Sequence, residues 1–214
     1  MIMSLNTKIR KLLKVISYLF IIYFIYLLVL IALQYVPIKY DVAFLNIKQD
    51  EIKLTHYKIA FFSHVFSSII VIIIGLPQFS YTLRKRFSFF HKLSGKIYIS
   101  LILLIASPSG LIMAYYANGG IVSQISFILL SILWFTFTYK AYKYIKVGNW
   151  KKHKNFMLRS YALTLSAISL RLFKWGIVSV FELAPMDTYK IVSIIGWTLN
   201  LVLVEIYILK TTHN

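Results

Sequence analysis

Residues 59–79, IAFFSHVFSSIIVIIIGLPQF, contain no Asp, Glu, Lys or Arg and are apolar along most of their length. About 20 residues of α-helix cross roughly 30 Å of hydrocarbon, so a run of this kind predicts a transmembrane helix. Polar residues nevertheless interrupt it, because His64, Ser68 and Gln78 recur at helical spacing. The stretch therefore predicts a membrane-spanning helix with one polar face.

Five further apolar runs have a similar length: residues 15–33, 97–116, 121–137, 156–180 and 191–209. The whole chain is 59% apolar and only 14% charged, with a mean hydropathy of +0.75. An ordinary soluble domain is far less apolar. The sequence predicts an all-α integral membrane protein, a bundle of six transmembrane helices that forms a single polytopic domain over residues 1–214.

The formal net charge of +18 is distributed unevenly between the connections. Lysine and arginine cluster in the N-terminal segment and in residues 84–96 and 139–159, whereas five of the six acidic residues lie in the other connections: Asp41, Asp50, Glu51, Glu182 and Asp187. This bias places both termini in the cytoplasm. We expect the basic loops to face anionic lipid head groups rather than nucleic acid, because no aromatic-interleaved soluble module is present.

Several classes of chemistry are excluded. The chain has no cysteine, so it has no disulfide and no thiolate-bound metal. It contains no GxSxG, P-loop or HExxH motif, and the acidic residues are too few and too external for a carboxylate dyad. Histidine chemistry and anion binding remain.

Arg171 lies inside an apolar run, where a charged side chain is costly unless it finds partners or snorkels to the interface. Counting back at helical spacing gives a small and polar face: Ala167, Thr164 and Ser160. His64 lies at a similar depth in its own helix. The sequence predicts a polar pocket in the outer half of the membrane, formed by His64, Arg171, Ser68, Ser107, Ser109, Gln78 and Thr164. A bend at Ser107-Pro108 is expected to add a free carbonyl.

Two further pairs are predicted near the inner face. Arg159 and Glu205 have matching depths, so they are expected to form an ion pair. His91 and His153 each begin a span from the cytoplasmic side, where two imidazoles on facing helices would suit the axial ligation of haem b. In that interpretation Gly95 gives the porphyrin room.

Four segments together resemble the bacterial membrane proteins of the domain-of-unknown-function 2306 family: HKLSGKIYI (91–99), SPSGLIMAYYANGG (107–120), NWKKHKNFMLRSYALTLSAISLRL (149–172) and WTLNLVLVEI (197–206). The matching positions are His91, Gly95, Ser109, Gly110, Gly119, Gly120, His153, Met157, Arg159, Ser160, Arg171, Asn200 and Glu205. Lys154 and Phe156 depart from the arginine and tryptophan that the pattern favours. The resemblance covers about residues 60–208 and implies a multi-helix protein of the bacterial cell membrane, without a reaction.

Three interpretations stay open at this point. The chain binds or transports a small anionic or quinone-like ligand, or it is a haem b redox protein, or it is a structural or assembly protein whose polar residues only hold helices together. In the last case the intramembrane serines bond to carbonyls of their own helices. The sequence contains no feature that separates the three.

Overall fold

The computed structural model describes residues 2–212. Within that range lie nine α-helices: α1 (Ile2–Leu33), α2 (Thr55–Gly75), α3 (Tyr81–Arg86), α4 (Ser88–Leu101), α5 (Ser107–Tyr115), α6 (Ile121–Lys146), α7 (Trp150–Thr164), α8 (Ser166–Phe181) and α9 (Pro185–Thr212). They form six helical spans that are long and apolar enough to cross a membrane, since α4 continues into α5 and α7 into α8. The prediction of an all-α protein with six transmembrane helices is confirmed.

Each of the six spans is longer than the apolar run that predicted it. The third begins at Ser88 instead of near residue 97, and the fourth ends at Lys146 instead of near residue 137. Hydropathy marks only the part of a helix that lies in hydrocarbon. The helix itself continues beyond that part. Exposed cations such as Lys92 and Lys96 belong to the same helix, and their long side chains can extend to water.

The third span contains a π-helical turn, Ile102–Ala106, directly before Ser107-Pro108. Proline has no N–H, and a π turn widens the helix, so carbonyls near it become available to other donors. The Ala106 carbonyl accepts a hydrogen bond from His64 Nδ1 at 2.8 Å and one from Ser109 Oγ at 3.2 Å. The bend therefore joins the third span to the second.

The fifth span is interrupted at Leu165, between α7 and α8. A 3₁₀ step follows, in which the Ile168 N–H donates to the Leu165 carbonyl at 2.9 Å. Asn200 of α9 bridges the interruption: its amide donates to the Ala162 carbonyl at 3.1 Å and accepts from Ser169 Oγ at 2.9 Å. The α8 segment thus begins inside the membrane with its direction fixed by α9.

The side-chain core lies where α2, α4, α6, α7 and α9 meet. Its buried members are mostly large: Val71, Tyr98, Ile102, Trp134, Met157, Tyr161, Leu163 and Trp197. By contrast, α1 packs through a small cluster in which Ile25 and Leu28 contact the region of Ile72 and Ile168. The first helix is therefore attached to the side of a compact five-span bundle.

The connections 34–54, 116–120 and 182–184 lie at one end of the bundle, which we call the outer end. Its assignment to the extracellular side is a prediction from charge. Single cysteines at Asn46 and Lys151, both exposed positions, are expected to react with an impermeant maleimide from opposite sides of the membrane. The chain has no native cysteine to interfere. Labelling of both positions from one side of intact cells would contradict the assignment.

Candidate ligand cavity

A cavity of about 420 Å³ lies in the outer half of the bundle. At 1.5 Å of rise per residue, His64 and Arg171 each lie about 13–15 Å from the outer ends of their helices, and both line it. The wall is mainly apolar, with residues such as Leu28, Phe61, Leu130, Trp134, Leu163 and Leu170. The two polar residues that the sequence placed at one depth thus share one cavity.

His64 is held in one orientation by the bend of the third span. Its Nδ1 lies 2.8 Å from the Ala106 carbonyl, which can only accept, so Nδ1 carries a proton. In the neutral ring Nε2 is then the remaining acceptor. Gly110 leaves room for this approach, because a Cβ at that position would lie 3.0 Å from His64 Cε1.

Arg171 extends towards the middle of the membrane. Its Nη1 donates to the Ala167 carbonyl at 2.7 Å, and Ala167 lies one turn deeper because α8 runs towards the outer end. A snorkelling arginine would extend the opposite way. None of the ion pairs among residues 2–212 involves Arg171, and none of the described cavity-lining residues is Asp or Glu. The guanidinium therefore brings an uncompensated charge to the cavity wall.

Residues outside the predicted set also line the cavity. Tyr35, which follows α1, is buried, and its hydroxyl accepts from the Phe44 N–H at 3.3 Å. Burial raises the pKa of Tyr35, while the Phe44 N–H and the charge of Arg171 act in the opposite direction. The phenol stays protonated and can donate. Lys48 and Trp134 line the cavity as well.

The remaining predicted residues divide into two groups. Ser68 and Thr164 line the cavity, and Ser68 Oγ is buried without a hydrogen-bond partner in residues 2–212. Ser107 instead donates to the Ser131 carbonyl at 2.8 Å, and Ser109 to the Ile105 carbonyl at 2.6 Å. Gln78 donates to Ser94 Oγ at 2.6 Å, near the inner end. These three contribute to helix packing and are not among the residues lining the cavity.

The floor of the cavity is a closed circuit of hydrogen bonds. Trp134 Nε1 donates to Thr164 Oγ1 at 3.1 Å, and Tyr98 Oη lies 3.0 Å from both Thr164 Oγ1 and Ser160 Oγ. Ser160 Oγ lies 2.7 Å from Thr138 Oγ1, which donates to the Trp134 carbonyl at 2.7 Å. One direction of donation satisfies every hydroxyl in the ring, beginning and ending on Trp134. The circuit fixes the floor and joins α4, α6 and α7.

At the inner end, the two histidines predicted as haem ligands have different surroundings. His153 Nδ1 lies 2.9 Å from the Ala141 carbonyl, whereas His91 Nδ1 is buried without a partner in the described part of the chain. A Cβ on Gly95 would lie 3.3 Å from Gln78 Oε1. The glycine expected to face a porphyrin therefore faces an amide, and haem binding stays a prediction.

Arg159 and Glu205 form a bidentate ion pair between α7 and α9. Arg159 Nε donates to Glu205 Oε1 at 2.5 Å and Nη2 donates to Oε2 at 2.7 Å. The guanidinium also lies over the Phe156 ring, 4.9 Å from its centroid. This pair fixes the inner end of the fifth span to the last.

The profile of one protein family, described as predicted membrane protein (DUF2306), matches residues 61–208. The chain belongs to this family. The match runs from α2 to α9, and it confirms the resemblance carried by the four sequence segments. No match was found among curated proteins or among solved structures. In this DUF2306 protein His64, Ser68, Thr164 and Arg171 lie within the matched region, whereas α1 and residues 34–54 lie outside it.

Proposed function

We propose that this DUF2306 protein binds a small amphipathic molecule in the outer cavity, with an anionic or quinone-like head group against Arg171. The observation that carries the proposal is the unpaired guanidinium in an apolar wall. A cation this deep in a membrane span without a carboxylate partner is costly, and a ligand oxygen that accepts from it lowers that cost. The arginine uses one of its five donors on the Ala167 carbonyl, so the others are available.

The other polar groups of the cavity support a head group with oxygen atoms. Tyr35 offers a hydroxyl proton, Ser68 offers an unpartnered hydroxyl, and His64 offers an acceptor at Nε2. The head group would therefore meet donors at Arg171 and Tyr35 and an acceptor at His64. A carboxylate, a phosphate or a quinone carbonyl satisfies the donors, and a quinol hydroxyl also satisfies the histidine.

The size and the wall of the cavity suit the rest of such a molecule. Sites for small molecules typically enclose about 300–1,000 Å³ and are mostly apolar with a few polar groups, and the cavity measures about 420 Å³. By position along their helices, Ile72, Trp134 and Leu163 form its deeper part. An acyl or isoprenoid chain fits this region better than a charged or hydrated molecule, because the apolar side chains there offer few hydrogen bonds to replace those that a polar group makes with water.

Arg171→Leu tests the proposal. Losing a charge-assisted hydrogen bond costs about 1.5–3 kcal/mol, so we expect affinity to fall by roughly 10- to 100-fold. The probes are a diazirine-labelled fatty acid and a diazirine-labelled isoprenoid quinone in proteoliposomes, and labelled peptides are located by mass spectrometry. We expect one probe to label cavity peptides that contain Trp134 or Leu163. The probe that labels identifies the head group.

Lys174→Leu is the matched control, because Lys174 is an exposed cation of the same helix that does not line the cavity. It should leave labelling unchanged. Arg171→Lys should retain part of the binding, since lysine keeps the charge but loses the planar fork. If neither probe labels the cavity of the native protein, or if Arg171→Leu labels as strongly as Lys174→Leu, the proposal is wrong.

A further inference from the structure

The outer mouth of the cavity is covered by residues 34–54, which we call the outer plug. Leu45 and Ile52 of this segment are 0% and 5% exposed, and they pack with Tyr35, Tyr57 and Phe61 in one apolar cluster. The segment is thus a packed part of the fold between the cavity and the outer aqueous phase.

A buried lysine fastens the outer plug to the rest of the bundle. Lys48 is only 2% exposed, and its Nζ donates to Glu51 Oε1 at 2.7 Å and to the Tyr116 carbonyl at 2.6 Å. Tyr116 belongs to the turn between α5 and α6. Glu51 belongs to the plug itself, so the attachment is the bond to the Tyr116 carbonyl, and it resists opening because a buried donor would lose its acceptor. His56 of α2 lies 2.7 Å from the Tyr116 hydroxyl, so the residue that Lys48 contacts is itself held by α2.

The wall formed by α1 is attached far less firmly. This helix contributes Leu28, Ile31 and Ala32 to the cavity, but residues 12–20 of its inner half are exposed. That half diverges from α2, and a second cavity of about 290 Å³ separates Leu13–Ile21 from Leu76 and Phe79. An apolar contact between helices in lipid has no hydrophobic driving force and holds only by packing, because lipid tails can replace it at little cost.

We infer that the ligand is a molecule dissolved in the bilayer, a single-chain amphiphile, and that it enters sideways between α1 and α8. This inference rests on the proposed function of the cavity. Water-side entry requires breaking the hydrogen bond from the buried Lys48 to the Tyr116 carbonyl and an apolar cluster, whereas lateral entry requires only the separation of apolar surfaces. Arg171 lies on α8 and is accessible, so a head group that enters there meets the guanidinium first.

The test uses a disulfide between α1 and α8 in the chain without native cysteines. Cysteine pairs combine Ile25 or Leu28 with Ile168 or Leu172, four members of the cluster that joins these helices, and the pair that oxidises most completely is kept. The probe is the diazirine-labelled fatty acid or quinone, supplied within the vesicle membrane. We expect oxidation to slow cavity labelling by about tenfold or more, and reduction of the same sample to restore it.

A second variant addresses the water-side route. Leu45→Ala combined with Ile52→Ala loosens the packing of the outer plug at two positions that do not line the cavity, and it should leave the labelling rate unchanged. If the α1–α8 disulfide has no effect while the Leu45 and Ile52 variant accelerates labelling, entry is through the outer plug and the inference is wrong. If the probe labels the cavity equally fast with the bridge closed and open, it is also wrong. Absence of any labelling, even in the reduced sample, instead refutes the proposed function on which it rests.

Discussion

Replacing Glu205 by glutamine is expected to lower the free energy of unfolding by about 2–3 kcal/mol. Breaking a fully buried ion pair costs about 3–5 kcal/mol, because one charge stays behind without a partner. The Glu205 side chain keeps 38% of its surface exposed and Arg159 keeps 19%, so water screens part of the loss and the lower figure applies. Unfolding in mixed detergent and SDS micelles, followed by circular dichroism, measures the change.

A double replacement and an exposed pair provide the controls. Arg159→Met with Glu205→Met should recover part of the loss, since no charge is then stranded near the membrane. Asp187→Asn breaks the exposed pair with Lys190, whose side chains are 62% and 47% exposed, and should cost about 0–1 kcal/mol. A loss for Glu205→Gln no larger than that for Asp187→Asn would show that the inner pair adds nothing beyond a surface contact.

The spans were predictable because hydropathy reports the bilayer directly. Any helix that crosses hydrocarbon must satisfy its backbone internally and present apolar side chains to lipid. The depth of a residue follows from counting along its helix, and this count placed His64 and Arg171 at one level. Both line one cavity. The span and the depth of a residue depend on one helix alone, so both can be predicted from the sequence of that helix.

Partners across helices were less predictable, and Gln78 is the clearest example. It shares a face with His64 by helical count, yet it lies at the inner end and bonds to Ser94. Ser107 lies beside the predicted bend but contacts Ser131, which returns the bond to the Ser107 carbonyl at 2.8 Å. A periodic face shows that a residue points away from lipid, but not whether it meets a cavity or a neighbouring helix.

Irregular backbone was the other limit. Pro108 signalled a bend, but not that a π turn at Ile102–Ala106 would form it. The interruption at Leu165 has no local signal, because Leu165 is an ordinary helix former. The interruption is maintained from a distance by Asn200, through its bonds to Ala162 and Ser169. Its match to the family pattern marked Asn200 in the sequence but did not indicate this role. The outer plug was not predicted for the same reason. From the sequence Lys48 resembles a solvated loop cation, and its contacts with Glu51 and the distant Tyr116 are visible only in the fold.

Gly75→Ala is expected to destabilise the fold by about 2–3 kcal/mol, in the upper part of the range for overpacked cores. A Cβ at this position would lie 2.5 Å from Tyr161 Cε2 and 2.8 Å from Tyr98 Cε2. Neither ring can move away freely. Tyr98 is held by Ser160 and Thr164 in the cavity floor, and the Tyr161 hydroxyl donates to the Ile72 carbonyl at 3.3 Å.

The same substitution at Gly176 provides the control, because a Cβ there meets nothing within 4 Å. In the interior of α8 alanine is the better helix former, so Gly176→Ala should be neutral or stabilising by up to about 1 kcal/mol. SDS unfolding of both variants measures the difference. Since Tyr98 belongs to the circuit beneath the cavity, Gly75→Ala should also weaken labelling of the Trp134 peptide, although Gly75 does not line the cavity. Equal stability of the two alanine variants would show that the tyrosine rings yield and that this contact does not limit the fold.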